Sequence, residues 1–293
     1  MALLIGVMCL WGSTFVVTKS TITEMPPLML AFIRVSIGAL VLEPFALYRR
    51  RQAPHSRPLP WKAIAQLAFI GVCFYYVVFN LGMSRTSASQ GALVQSCIPA
   101  MTALAAIVLL RERASLTRLA GVALSMIGVL VIFSGAAADN AGGSVSGNSL
   151  IFLSVIAWGV YTSLAKRVAE HDSVVVTACI IGCGALMLLP FAVFESGTAH
   201  FPTLTPRGWA GVFYLGALAS GVAFLIYNYS LRYLEAGQAG VFANLIPVVG
   251  VLSGIVILHE PLSWRSILGG VVVMIGVWIT GAEKTPAVAT AGT

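Results

Sequence analysis

The stretch from Trp11 to Lys19 reads WGSTFVVTK, and the stretch from Trp158 to Lys166 reads WGVYTSLAK. Both begin with Trp-Gly and end with Lys, and they lie 147 residues apart. Each stretch is embedded in a long apolar segment. The chain therefore contains one unit twice, and this duplication decides the fold.

The repeat continues through both halves of the 293-residue chain. Gly38-Ala39-Leu40 recurs as Gly184-Ala185-Leu186 at an offset of 146, and from Trp61 onward the offset settles at 148. The pairs at the offset of 148 include Trp61 and Trp209, Asn80 and Asn228, Gln90 and Gln238, Pro99 and Pro247, Glu112 and Glu260, and Ser115 and Ser263. We therefore expect two units, residues 1–135 and 148–283, with a linker at 136–147 and a tail at 284–293.

The composition predicts a membrane protein. Hydrophobic residues make up 58% of the chain and charged residues 9%, and the mean hydropathy is +0.94. A soluble protein carries roughly 25% charged residues, so lipid must be the solvent for most of this surface. The net charge of +7 does not indicate nucleic-acid binding, because the basic residues fall at the ends of apolar segments.

Ten segments are long and apolar enough to span a bilayer, which takes about 20 residues. Lipid offers no partner to an unpaired backbone group, so each segment is predicted to be a helix. The fold class is therefore all-α integral membrane, with ten transmembrane helices. The predicted spans are residues 2–20, 27–48, 61–82, 88–110, 114–135, 148–168, 173–195, 207–232, 236–258 and 263–282.

The distribution of Lys and Arg predicts the orientation of the chain. With the amino terminus in the cytoplasm, 12 of the 17 Lys and Arg residues fall in cytoplasmic segments and 4 in external ones. Both termini, including the tail, are therefore predicted to be cytoplasmic. Each half holds five spans, an odd number, so the second half enters from the opposite side. We expect two inverted five-helix repeats around a central cavity, which is common in secondary carriers.

Several motifs resemble a known transporter family. Trp11-Gly12-Ser13, Pro26-Pro27, Phe32-Ile33-Arg34, the run from Asn80 to Pro99 and the Glu112-Arg113-Ala114-Ser115 turn resemble EamA-type transporters of the drug/metabolite transporter superfamily. The resemblance implies ten helices in two inverted repeats and metabolite export across the bacterial inner membrane. Within the family the chain is most similar to the amino-acid exporters, especially the YddG-like aromatic amino-acid group.

Aromatic and polar residues inside the predicted spans are the candidates for substrate contact. Trp prefers the membrane interface, but Trp11 and Trp158 fall mid-span, where they either pack against the glycine that follows or line a cavity. Buried amides must bond to neighbouring helices or to substrate. The candidate substrate-binding residues are Trp11, Thr14, Tyr76, Asn80, Gln95, Trp158, Tyr161, Tyr227, Asn228 and Asn244.

Three basic residues are candidates for a charged gate or for contact with a substrate carboxylate. Lys19 and Lys166 lie near helix ends, and in the simpler interpretation they snorkel to the interface. Arg34 lies about two turns, or roughly 10 Å, inside its span. It has no basic counterpart in the second half, where Ile180-Ile181 stands. Arg34 either snorkels to the interface as well, or it contacts a substrate carboxylate or pairs with an acid such as Glu24.

Pro99 and Pro247 fall mid-span in the fourth and ninth predicted helices. Proline lacks an N–H and clashes with the carbonyl four residues back, so both helices are predicted to kink. The two kinks are either static or the hinges of alternating access. The Gly250–Gly254 GxxxG motif is interpreted as packing within the chain, and we expect a monomer or a weak homodimer.

Other classes of protein lack their usual signals in this sequence. No P-loop motif occurs, and the five Cys and four His residues show no metal-binding spacing. We therefore predict no cofactor, no metal and no enzyme activity. The prediction is a secondary transporter that exports small metabolites, amino acids foremost, with the lipid bilayer as its surroundings. The alternatives are a cationic drug exporter and an intramembrane enzyme or scaffold.

Overall fold

A computed structural model of the chain describes residues 2–52, 58–112, 115–138, 143–198, 204–230 and 245–281. Within these ranges the chain forms ten helical units and no strand. Nine of the described helices are long and apolar enough to cross a membrane, and the described part of α9 is a shorter apolar helix. The all-helical membrane fold predicted from the sequence is confirmed.

The helices follow one another in chain order. Their bounds are α1 Ala2–Ile22, α2 Pro27–Gln52, α3 Trp61–Arg85, α4 Ala88–Leu110, α5 Leu116–Ala138, α6 Val145–Val168, α7 Ser173–Thr198, α8 Pro206–Phe213 with Tyr214–Val222 and Ala223–Ser230, α9 Leu245–Leu258 and α10 Trp264–Gly281.

The expected end of α2 at residue 48 was too early, because Arg49, Arg50 and Arg51 in its last turn complement the helix dipole. The predicted linker was too long, since α5 and α6 each extend three residues into 136–147.

The helices pack as an inverted repeat. α2 lies along α7, and the two run antiparallel: the amide of Leu28 donates to Glu195 at one end, and Arg50 donates to Cys179 at the other. The remaining contacts come in repeat-related pairs, with α1 against α9 and α4 against α6, and with α2 against α8 and α3 against α7. Because repeat-related helices run in opposite directions where they meet, the inversion predicted from the helix count is confirmed.

Glycines let α5 and α10 meet backbone to backbone. A Cβ on Gly128 would lie 2.7 Å from the carbonyl oxygen of Gly269, and a Cβ on Gly121 would lie 2.7 Å from that of Gly276. In lipid, close packing rather than the hydrophobic effect joins helices, and small residues permit it. Gly250 likewise faces Ala92 of α4, so these glycine motifs pack within the chain.

α3 and α8 each contain a π-helical segment, which the sequence did not predict. The segments are Phe69–Phe74 and Tyr214–Val222. When the first segment is shifted by the repeat offset of 148 residues, it falls within the second segment. The two halves therefore share this π-helical feature. A π-helical turn is rare and is common at functional sites. Both segments face the interior cavity described below.

The outer surface of the bundle is apolar. Large side chains such as Leu40 and Phe194 are 73% and 76% exposed, as expected for a surface that faces lipid. Four of the six tryptophans are exposed near helix ends, where an interfacial aromatic belt is expected: Trp61, Trp209, Trp264 and Trp278. The protein is therefore a multi-pass membrane protein.

Candidate functional site

A cavity lies at the centre of the bundle between α2, α3, α6, α7 and α8. The centre of a water-sized sphere can occupy about 20 Å³ of it, and all the space between atoms, including the part open to solvent, is about 380 Å³. Its lining is mostly aromatic and aliphatic, with one serine and one threonine. The lining residues are Val35, Gly71, Val72, Tyr76, Trp158, Tyr161, Thr177, Ile180, Ile181, Ser220 and Phe224. Both halves contribute, as expected for a site at a repeat interface.

The two ends of the bundle are named by their lysines. The Lys19 end is where α1 ends and α2 begins, and the Lys166 end is where α6 ends and α7 begins. Tyr161 and Thr177 of the cavity lining lie within two turns of the Lys166 end. The cavity therefore extends from the middle of the bundle toward the Lys166 end.

The π-helical segments supply part of the cavity wall. Gly71 leaves room for the ring of Tyr161, because a Cβ at position 71 would overlap that ring. Ser220 donates its hydroxyl to the carbonyl of Leu215 at 2.8 Å, five residues back along the π-helical segment. Ser220 is also the repeat counterpart of Val72, so equivalent positions of the two halves face the same space.

The two repeat-related tryptophans differ in their surroundings. The indole N–H of Trp11 donates to the carbonyl of Ala219 in α8 at 3.0 Å, which anchors α1 to α8. Trp158 lines the cavity, and its indole N–H bonds to no residue in the described part of the chain. Its ring centroid lies 5.2 Å from those of Tyr75 and Tyr161. The structure thus places Trp158 in the cavity wall and Trp11 outside it.

Gln95 lies behind the wall rather than in it. Its Nε2 donates to the hydroxyl of Tyr75 at 3.0 Å and to Ser154 Oγ at 3.3 Å. Tyr75 in turn stacks on Phe79, with ring centroids 5.6 Å apart and planes 6° from parallel. Gln95 therefore holds Tyr75 in the position where it contacts Trp158.

Two other predicted polar residues, Thr14 and Asn80, are not among the residues that line the cavity. Thr14 donates to the carbonyl of Trp11 at 2.6 Å, within its own helix. Asn80 is fully buried, and its Nδ2 donates to the carbonyl of Tyr76 at 2.9 Å, while its Oδ1 has no partner among the described residues. The side chains of Tyr227 and Asn228, and the whole of Asn244, lie outside the described residues.

α4 is interrupted next to Pro99, where the sequence predicts a kink. Its two segments are Ala88–Gln95 and Ile98–Leu110, with Pro99 in the first turn of the second. Between them the amide of Cys97 donates to the carbonyl of Val94 at 3.2 Å, three residues back, so the turn is tighter than an α-helical turn, which joins residues four apart. The break agrees with the expected effect of proline, and a hinge role stays a prediction. Pro247 is the third residue of the described part of α9.

Arg34 is a buried cation beside the cavity. It is 4% exposed, and its guanidinium carbon lies 4.8 Å from the ring centroid of Tyr76. Its Nη1 lies 3.5 Å from Thr18 Oγ1, at the limit of a hydrogen bond, and its Nε has no partner in the part of the chain that the structure describes. Glu24, the suggested partner of Arg34, instead accepts from Thr205. The expected Arg34–Glu24 pair is therefore wrong for this state.

Lys19 and Glu260 hold the turn between α3 and α4 from two sides. Lys19 Nζ donates to the carbonyls of Met83 and Thr86 at 2.9 and 2.7 Å. Glu260 accepts from the first two amides of α4 at 2.7 and 2.8 Å. A cation at a helix carboxyl end and a carboxylate at an amino end each complement the helix dipole. Lys19 does not snorkel here, because its ammonium binds backbone; we name this arrangement the Lys19–Glu260 clamp.

Two further carboxylates join the halves at the Lys19 end. Glu195 of α7 accepts from the first amides of α2 at 2.8 and 2.9 Å. Glu24 accepts from the amide and hydroxyl of Thr205, just before α8, at 2.9 Å each. Each of these carboxylates, like Glu260, lies in one half and binds a helix start in the other. Together they tie the two halves to each other at the Lys19 end.

A buried polar chain backs the clamp. Thr86 donates to Asn148 Oδ1 at 2.6 Å, Asn148 to Gln90 Oε1 at 3.3 Å, and Gln90 to Ser266 Oγ at 2.6 Å. None of the four is more than 1% exposed. Hydrogen bonds are costly to break in a medium of low dielectric constant, so this series of hydrogen bonds stiffens the Lys19 end.

At the Lys166 end the repeat-related residues are arranged differently. Lys166 and Glu112, the counterparts of Lys19 and Glu260, bond directly to each other at 2.7 Å. The Lys166 side chain is 60% exposed, and Glu112 also accepts from Arg118 at 3.2 Å. The hydrogen bond from Lys166 lowers the pKa of Glu112, although partial burial opposes this shift. The turn that corresponds to the α3–α4 turn at the offset of 148 lies outside the described residues.

Phe224 and Ser220 line the cavity but were missed from the sequence. They are the counterparts of Tyr76 and Val72 at the offset of 148. Adding 148 to the numbers of Tyr76 and Val72 leads to Phe224 and Ser220, even though the residue types differ between the halves. Thr177 gave no comparable signal, because only the packing of α7 brings it to the cavity.

The inverted repeat and the central cavity define a multi-pass membrane transporter. The chain belongs to the EamA-like transporter family, which matches residues 1–134 and 145–282. The two matched regions correspond to the two halves of the bundle.

Relatives of known sequence cover nearly the whole chain. A protein of Archaeoglobus fulgidus named an uncharacterized transporter is 28% identical over 279 residues, which are 94% of this chain and 95% of that one. A protein of Salmonella typhimurium named a probable amino-acid metabolite efflux pump is 27% identical over 281 residues, 93% and 91% of the two chains. A solved crystal structure with 20% identity covers 95% of this chain and 94% of its own, with a TM-score of 0.65. That likeness supports the fold.

Proposed function

We propose that this transporter exports small metabolites, amino acids foremost, across the bacterial inner membrane by alternating access. The observation that carries the proposal is a central cavity lined by both inverted halves, with the Lys19–Glu260 clamp joining the halves at one end. Inverted repeats are a common basis for carriers that expose one site to each side in turn. The relative named an amino-acid metabolite efflux pump supports the substrate class.

The cavity favours an aromatic amino acid over a polar one. Tyr76, Trp158, Tyr161 and Phe224 present rings to the same space. A ring–ring contact contributes about 0.5–1.5 kcal/mol beyond the burial of area. The indole N–H of Trp158 offers one donor to a polar group of the substrate. This match extends the similarity to aromatic amino-acid exporters noted in the sequence.

A cationic drug is a poorer fit. Among the described lining residues there is no Asp or Glu that could offset a cationic substrate. The nearest charged side chain, Arg34, contacts the lining residue Tyr76 and is itself a cation. A buried like charge would raise the cost of bringing a cation into the cavity.

The described state corresponds to one half of the transport cycle. In this proposal the clamp keeps the Lys19 end closed, the predicted orientation places that end outside the cell, and the cavity faces the cytoplasm. Release of substrate then requires the Lys19–Glu260 clamp to break. Both termini lie on the cytoplasmic side in this proposal.

Transport by purified protein in liposomes tests the proposal. We expect saturable, time-dependent uptake of labelled phenylalanine or tryptophan, and a lower rate with Trp158→Ala. Trp278→Ala, which removes an exposed tryptophan far from the cavity lining, serves as the matched control. Flux of cationic dyes without flux of amino acids would favour the drug exporter. No flux of any solute, together with specific binding of a protein partner, would favour the scaffold. Parallel runs with and without a proton gradient show whether transport is coupled.

A further inference from the structure

Arg34 carries a charge that no described residue compensates. Arginine stays protonated in proteins, and no carboxylate of the described residues lies within ion-pair distance of it. Its contacts are the ring of Tyr76 and the distant hydroxyl of Thr18. Charged groups buried in a membrane protein normally find a partner, and those that do not mark substrate or ion pathways. Among the described residues the buried Nε has no hydrogen-bond partner, so this N–H donor is available to a substrate group.

The position of Arg34 connects the cavity to the closed end. On one side its guanidinium faces Tyr76, which lines the cavity. On the other side it reaches Thr18, which precedes the clamp residue Lys19 in α1. A substrate that moves from the cavity toward the Lys19 end therefore passes the guanidinium.

The site is charged in one half only. At the repeat-equivalent place in α7 stand Ile180 and Ile181, and both line the cavity. The described site thus has a cationic side at Arg34 and an apolar side at the isoleucines. A molecule with an apolar body and an anionic group complements both sides.

We propose that Arg34 is the receptor for an anionic group of the substrate, a carboxylate in the case of an amino acid. The ring of Tyr76 lies over the guanidinium, 4.8 Å from its carbon to the ring centroid. The guanidinium offers a planar pair of N–H donors that matches the two oxygens of a carboxylate, and the unpartnered Nε is one of them. This inference rests on the proposed function and names the substrate class as small apolar or aromatic carboxylates.

Three probes of one shape test the inference on the intact protein in nanodiscs. They are phenylalanine, 3-phenylpropionate, which lacks the ammonium, and phenethylamine, which lacks the carboxylate. Binding is measured as the change in intrinsic tryptophan fluorescence. We expect both carboxylates to bind about tenfold or more tighter than the amine. Saturable binding of phenethylamine as tight as that of 3-phenylpropionate, or no binding of any probe, overturns the proposal.

Variants then assign the preference to Arg34. In Arg34→Gln the Kd of the carboxylates should rise about tenfold or more, while that of phenethylamine should not rise. Arg34→Lys, which keeps the charge but loses the planar pair of donors, should lie between Gln and wild type. Arg265→Gln removes another arginine that stacks on an aromatic ring, Trp264, and should keep the wild-type preference. A folded Arg34→Gln that retains the preference refutes the role; if it does not fold, Arg34→Lys and the probe series decide.

The outcomes separate this inference from the proposed function. If 3-phenylpropionate binds through Arg34 but liposomes transport no amino acid, the anion receptor stands and amino-acid export falls. If amino acids are transported without any preference for the carboxylate among the probes, export stands and the receptor falls.

Discussion

Glu260→Gln is the perturbation that tests most directly how the Lys19 end is closed. The substitution keeps the size of the side chain and one carbonyl oxygen, but it removes the charge. In the structure the Glu260 carboxylate accepts three hydrogen bonds, from the amides of Ala88 and Ser89 and from the hydroxyl of Ser89, at 2.7, 2.8 and 2.7 Å. All three stabilise the start of α4 in the closed state.

The size of the effect follows from these contacts. Hydrogen bonds to a charged acceptor are roughly twice as strong as those to a neutral one. A carboxylate near a helix start contributes about 0.3–1 kcal/mol through the dipole, and loss of a capping side chain costs about 0.5–2 kcal/mol. Since the amide of Gln retains part of the bonding, we expect the free energy that favours the closed over the open Lys19 end to fall by about 1–2 kcal/mol. That is a factor of roughly 5–30 in the ratio of closed to open states.

Distances across the Lys19 end measure this ratio. Spin labels on cysteines introduced at Thr23, just after α1, and at Ser84 of α3, both exposed, report the separation of these two helix ends in a background without native cysteines. We expect Glu260→Gln to add a population at longer distance. The matched control is Glu112→Gln, which removes the repeat counterpart at the Lys166 end and should leave the Thr23–Ser84 distance unchanged.

Two results would refute the reasoning about the clamp. The first is an unchanged distance distribution in Glu260→Gln in a protein that remains folded. The second is an equal change in Glu112→Gln, since that residue lies at the opposite end of the bundle. Either result would mean that the carboxylate does not select the closed state.

Three further predictions concern the wall, the break and the exposed pair. Gly71→Ala should lower thermal stability by about 1–3 kcal/mol and slow transport, because the added Cβ displaces the ring of Tyr161. Pro99→Ala should change turnover more than substrate affinity in liposomes if the break in α4 acts as a hinge. The Glu112–Lys166 pair should contribute about 0.2–1 kcal/mol of stability. This contribution is fully present above the ordinary carboxyl pKa of 4.5 and is lost as the pH falls through the lowered pKa of Glu112.

Each of these predictions has its own control. Gly6→Ala in α1, where no atom lies within 4 Å of the added Cβ, should not lower the unfolding midpoint, and a loss equal to that of Gly71→Ala would contradict the packing argument. Unchanged turnover in Pro99→Ala would exclude a moving hinge at that position. Glu112→Gln should reduce the loss of thermal stability on acidification, and an undiminished loss would assign it to other groups.

Local composition was enough to predict the architecture. The length and hydropathy of each segment predict a span without reference to its neighbours, and the odd number of spans per half predicts the inversion. The offset of 148 likewise leads from Tyr76 to Phe224, because duplication preserves position even where the residues differ. These inferences needed no knowledge of which helices touch.

The sequence by itself therefore determined the membrane fold, the inverted repeat and the set of residues inside the spans. Only the tertiary structure decided that Trp158 lines the cavity while Trp11 bonds to α8, that Lys19 binds helix carbonyls, and that no described carboxylate pairs with Arg34. The physical reason is that most of these helices are apolar on every side, so helical periodicity does not show which side faces the cavity. Contacts between residues far apart in the chain, such as Ala219 with Trp11, made that choice.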